Sequence, residues 1–193
     1  MKVSEFIDYW NKEYPESLPI NHELKWIYAD RWFRIHSLPE SKRYADTEEE
    51  YKIILDRQNQ LISDLIGKES EVAISFGLYN LDKTNKNDIE LTSFGEFEKV
   101  LRVDLRKERP EEYKEEMYFD IYIKTEKWEI GSKDEILKAI ADDEIRAMFI
   151  SPSGKCIIAP YDGGVDVIVD STEKRDKLKA KYKEWLSKRE DGM

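Results

Sequence analysis

With 193 residues and a formal net charge of −10, the chain is long enough to bury a real core and too acidic to attract a phosphate backbone, which argues against general nucleic-acid binding. Its aromatic content of 12% excludes a disordered chain, and no apolar run approaches the roughly 18 residues needed to cross a bilayer. A lone Cys156, two histidines (His22 and His36) and an N-terminus that turns amphipathic at once predict a cytoplasmic protein with no membrane contact, disulfide, metal or other cofactor.

Phe6, Ile7, Trp10 and Tyr14 fall near one face of a helix, with Ser4 as its expected N-cap and Pro15 as its end. Residues 24–38 are rich in aromatics. Within them Trp32, Arg34 and His36 alternate with Phe33, Ile35 and Ser37, the period of a strand with one buried face. Residues 46–67 carry the clearest helix: Thr47 and Glu50 have capping-box spacing, and Gly67 supplies the stop. Between them Tyr51, Ile54, Leu55, Gln58, Leu61, Ile62, Leu65 and Ile66 form one stripe.

The period then changes. Residues 72–79 read as a strand, 82–87 as a polar loop, and 100–105 and 117–123 as two further strands. Ser132 and Glu135 repeat the capping-box spacing ahead of a helix that carries Ile136, Leu137 and Ile140 and ends near Asp143. Three short apolar runs follow at 147–151, 156–161 and 165–169, joined by Pro152-Ser153-Gly154 and Asp162-Gly163-Gly164. Links this short favour antiparallel pairing. Thr172 is the expected cap of a last helix striped by Leu178, Tyr182, Trp185 and Leu186. Residues 173–189 hold eight Lys or Arg against three Asp or Glu, which reads as a solvated basic face. The expected architecture is one α+β domain over residues 1–193, a mainly antiparallel sheet with the long helix and the last one closing over it.

Met148-Phe149-Ile150-Ser151, Ile157-Ile158-Ala159-Pro160-Tyr161-Asp162, Val165-Asp166-Val167-Ile168 and Tyr182-Lys183-Glu184-Trp185 together resemble a bacterial family of domains of unknown function. That family ends in a Tyr-Asp turn, an apolar strand and a helix bearing Tyr and Trp. The likeness is best over about the last 50 residues, and Arg31-Trp32-Phe33-Arg34-Ile35-His36-Ser37-Leu38-Pro39 is similar to a block near the start of related uncharacterised proteins. It departs at Gly163-Gly164, where the family pattern has Asp or Arg beside Gly. The resemblance implies a compact bacterial α+β domain and brings no assigned activity.

Two patches are candidates for function. Residues 25–44 hold five Lys or Arg against two Asp or Glu. Arg31, Arg34, His36, Ser41, Arg43 and Tyr44 could there hold a phosphate or carboxylate through charge-assisted hydrogen bonds. The plainer alternative pairs Arg34 with the acidic residues 48–50 and makes His36 a hydrogen-bonded strand residue. In the second patch Tyr161, Asp162 and Asp166 frame a glycine turn. Its carboxylates could form an acid/base pair or hold a hard cation, or the glycines could serve only the positive φ of a hairpin.

Cys156, inside an apolar run, is expected to be a small buried hydrophobe. The chain has no glycine-rich phosphate loop, dinucleotide fingerprint, nucleophile elbow or His-Glu zinc helix, so no catalytic residue is assigned. The leading expectation is a noncatalytic, immunity-like domain that engages a basic protein through acidic and aromatic surface. The alternative is a small enzyme or sensor for a phosphorylated or carboxylated metabolite, and it requires the two patches to share one cleft.

Overall fold

A computed structural model describes residues 2–81, 93–189 and 192. Among these residues the chain builds one seven-stranded sheet in the order β1-β7-β6-β5-β2-β4-β3, with every pairing antiparallel. The elements in chain order are helix α1 (Val3–Glu13), the short α2 (Leu24–Ile27), β1 (Trp32–His36), α3 (Glu48–Ile66), β2 (Glu71–Asn80) and β3 (Glu98–Asp104). Then come the short α4 (Leu105–Glu108), β4 (Tyr118–Lys127), α5 (Asp134–Ala141), β5 (Ala147–Ser151), β6 (Cys156–Tyr161), β7 (Gly164–Ile168) and α6 (Thr172–Lys181). This is the expected α+β class; the loop expected at 82–87 lies outside the described residues. Among the described residues no helix is long and apolar enough to cross a membrane.

Side chains alternate across a sheet, so each strand feeds two faces. One face presents Phe33, Ile35, Ile74, Phe149, Ile158, Val165 and Val167 to Leu61, Ile62, Leu65 and Ile66 of α3 and to Ile136, Leu137 and Ile140 of α5. Leu61 and Ile62 are wholly withdrawn from water, each contributing about 1.5–3 kcal/mol on area grounds. Gln58 is buried within the stripe, and its amide donates to the Ser37 hydroxyl at 3.0 Å. This bond ties α3 to the chain just past β1. The opposite face is covered by the N-terminal segment, where Phe6, Trp10, Tyr14, Leu24 and Tyr28 pack on Ala73, Ile123, Met148, Ile150, Ile157 and Ile168.

The expectation that α3 and the last helix close over the sheet is half right. No residue of α6 is buried, and the remaining cover comes from α1 and α5. Charged residues at seven of its ten positions leave α6 with Leu178 packed against the core and no continuous apolar stripe. The chain turns after it, so that Tyr182 enters the core with Trp185 stacked on it at 4.8 Å, and Leu186 bridges to Ile35 along the edge of β1.

Three helix starts also differ by a residue or two, the N-caps being Lys2, Lys133 and Ser171 in place of Ser4, Ser132 and Thr172. Glu5 accepts from the Lys2 amide at 2.7 Å, which starts α1 earlier. Ser132 spends its hydroxyl on the Glu129 carbonyl at 2.7 Å, and Ser171 accepts from the Lys174 amide at 3.2 Å. At α3 the Thr47 hydroxyl accepts from the Glu50 amide at 3.3 Å as expected. The Glu50 carboxylate, however, takes the Asp46 amide at 2.7 Å and the Lys42 ammonium, leaving the box one residue out of step. Cys156 is buried, and that burial pushes its thiol up to about 12, so it is the expected inert hydrophobe.

Candidate functional site

On β1, Phe33 and Ile35 enter the core, so Trp32, Arg34 and His36 share the other face. The register of β7 sets Asp166 directly opposite Arg34. Asp166, only 6% exposed, accepts from Arg34 Nε at 2.7 Å, from Arg34 Nη2 at 2.8 Å and from Trp32 Nε1 at 2.8 Å. The guanidinium also lies over the Tyr161 ring, 4.6 Å from its centroid. Arg34 therefore does not take the acidic residues 48–50 as its partner. Cross-strand opposition, which no local pattern specifies, assigned it a carboxylate 132 residues away.

Asp162, in the β6–β7 hairpin, is 3% exposed and accepts from Arg43 Nε at 2.6 Å and from the Tyr44 hydroxyl at 2.7 Å. Neither Gly163 nor Gly164 has the positive φ that a hairpin reading of this turn calls for. Close approach of β1 explains the glycines instead. A Cβ on Gly164 would stand 2.1 Å from the Ile35 carbonyl oxygen, and one on Gly163 would stand 3.0 Å from Tyr161 Cε2. Without those carbons the hairpin closes on the end of β1, and the Ser37 amide donates to the Gly163 carbonyl at 3.2 Å.

Next to this hairpin the sheet parts. The β6–β7 ladder runs to Tyr161↔Gly164, but the β5–β6 ladder runs only from Ser151↔Cys156 to Phe149↔Ile158. Pro160 has no N–H with which to extend pairing toward β5. A cleft of about 760 Å³ lies here, lined by Ala159, Pro160 and Tyr161 on one side and by Ile145 and Arg146 on the other. Arg34, His36, Ser41, Arg43, Asp162 and Asp166 all line it, so the two sequence-distant patches share one cleft. Tyr44 reaches it through its bond to Asp162. Arg31 does not line it; its guanidinium lies over the Tyr14 and Tyr28 rings at 5.7 and 4.6 Å.

Sequence reasoning missed His22 and Lys25, brought in by the turn Asn21–Glu23 and by α2, and also Asp143, Arg146 and Arg189. Lys25 belonged to the island of positive charge, the one signal available for it; for Arg146 there was none. Both histidines of the chain now stand in the cleft. Burial, with Arg34 and Arg57 adding to it, holds the His36 imidazole below its usual value, and a hydrogen bond to the Gly163 backbone acts the other way. Burial also lowers Lys25, partly offset by Asp166, and pushes the Tyr161 hydroxyl up to about 12. Asp162 and Asp166 act as clamps: carboxylates that accept from arginine, tyrosine and tryptophan fix where those groups point. Among the described residues no cluster of three or more His, Cys, Asp or Glu side chains is arranged to hold a metal ion.

The fold and cleft define an α+β protein whose antiparallel sheet, covered on both faces, opens at one end into an arginine-rich pocket. The chain belongs to the family described as domain of unknown function DUF3885, whose model matches residues 20–190 and so takes in every residue of the cleft. No curated protein and no solved structure matches the chain.

Proposed function

We propose that this cleft binds a small anionic metabolite, phosphorylated or carboxylated. The observation that carries the proposal is the convergence of the two patches, combined with an imbalance of partners. Asp162 and Asp166 are committed to Arg43 and Arg34, while Lys25 and Arg146 form no ion pair with a carboxylate among the described residues. Cations that no carboxylate pairs directly, in a partly enclosed site, favour an incoming anion. A volume of about 760 Å³ also suits a small molecule, for which pockets run from about 300 to 1,000 Å³.

The test is a thermal-shift titration with phenyl phosphate and succinate. At about a hundred times its dissociation constant a ligand adds about 2.7 kcal/mol, a rise of roughly 5–10 °C for a chain of this size. Lys25→Gln and Arg146→Gln should melt as the wild type does and lose that rise. If neither anion raises the melting temperature, or if both variants respond like the wild type, the proposal is wrong.

A second reading, an immunity-like domain engaging a basic protein, is favoured by Glu111, Glu112, Glu115 and Glu116, all exposed in the link from α4 to β4. Its mark would be salt-sensitive binding of a basic partner, lost when those four become glutamine.

A further inference from the structure

His22 stands in the cleft with Lys25 and Arg146, and its surroundings contain an unfilled place. Glu23 accepts from Arg109 through Oε2, while its Oε1 is buried and has no hydrogen-bond partner among the described residues. A candidate donor is His22 Nε2, 3.6 Å from that oxygen. A buried carboxylate oxygen left unsatisfied is costly, and a protonated imidazole is the group positioned to satisfy it.

Three cations oppose that protonation. Burial acts first to hold His22 below its usual value; Arg146, Arg109 and Lys25 push the same way, and Glu23 acts against them. Tyr79 of β2, which also feels Arg146 and Glu23, is pushed up to about 12 by burial and stays neutral. The charges facing His22 are therefore Glu23 from its own turn, Lys25 from α2, Arg109 from the end of α4 and Arg146 from the link into β5. An anion bound between Lys25 and Arg146 would offset the repulsion that adds to burial in disfavouring the charged ring.

We infer that the ligand is a phosphomonoester and that its docking draws one proton from solvent onto His22. Nε2–H then completes Glu23 Oε1, and Nδ1–H is left to donate to the phosphoryl oxygens beside Lys25 and Arg146. This deepens the anion-site reading and rests on it. A phosphomonoester carries close to two negative charges and three acceptor oxygens, enough for an imidazolium, an ammonium and a guanidinium together. Succinate also carries two charges but spreads them over two separate carboxylates of two oxygens each, so neither end satisfies that set as fully.

Isothermal titration calorimetry at about pH 7.5, where the second phosphate ionisation is nearly complete, tests this in two buffers of different ionisation enthalpy. Phenyl phosphate should bind the wild-type protein with uptake approaching one proton. His22→Asn should melt as the wild type does, bind roughly tenfold more weakly and take up no proton. Succinate should bind at least about tenfold more weakly than phenyl phosphate, without proton uptake. Equal heats for phenyl phosphate in both buffers, unchanged uptake in His22→Asn, or succinate binding as tightly as phenyl phosphate would each overturn the inference while leaving an anion site in place. Binding of neither probe would overturn the anion site as well.

Discussion

Asp166→Ala removes the acceptor for three hydrogen bonds at once and leaves the Arg34 guanidinium, whose side chain is only 11% exposed, without its bidentate carboxylate. Breaking one side of a buried ion pair costs about 3–5 kcal/mol, because the surviving charge stays desolvated. For a chain of 193 residues that is a drop of roughly 6–20 °C in melting temperature. Calorimetry or urea unfolding reads the loss, and a double variant controls for it. Arg34→Met with Asp166→Leu removes both charges and keeps apolar volume against Tyr161 and Trp32, so it should recover most of the stability. The reasoning fails if Asp166→Ala costs less than about 1 kcal/mol, or if the double variant is as unstable as the single one.

Gly164→Ala sets a methyl carbon 2.1 Å from the Ile35 carbonyl, where backbone must move, and should cost about 1–3 kcal/mol or more in urea unfolding. Gly163→Ala meets only the edge of the Tyr161 ring at 3.0 Å and should cost distinctly less; equal losses would count against close approach as the reason for the glycine pair. At the far side of the sheet, burial raises the pKa of Asp120. Hydrogen bonds from Arg102 at 2.5 and 2.6 Å, and from Lys99 at 2.8 Å, more than reverse that and leave it below its usual value. A depressed folded-state pKa gives stability that is present above the unfolded value, near 4, and lost as pH falls through the folded one. The gap in melting temperature between wild type and Asp120→Asn should therefore be full at neutral pH and narrow below about pH 4; a gap that stays constant into that range would contradict the assignment.

What could be read from the chain alone follows the range of the forces involved. The β5–β6–β7 meander was legible because its links are too short for anything but antiparallel neighbours, and α3 because its stripe repeats over five turns. The partner of β1 was not, since five residues of alternating polarity fit against many strands equally well. Arg34 was accordingly matched to Glu48–Glu50, the acidic first turn of the helix that follows it. Gly163-Gly164 carried a strong local turn signal, but the cause lay in a carbonyl of β1. The cleft draws His22, Lys25, Arg43, Arg146 and Asp162 from separate segments, each unremarkable by itself. Only the assembled sheet brings them to one place.

Because β1 lies at the sheet edge beside β7, a chain still emerging from the ribosome holds Arg34 and Trp32 with nothing to receive them until β7 has left the exit tunnel. Until then β1 has an unpaired backbone on both sides, as Leu186 arrives later still. The cleft is thus among the last parts assembled during translation. Chaperones that guard unpaired strand edges would meet this protein there first.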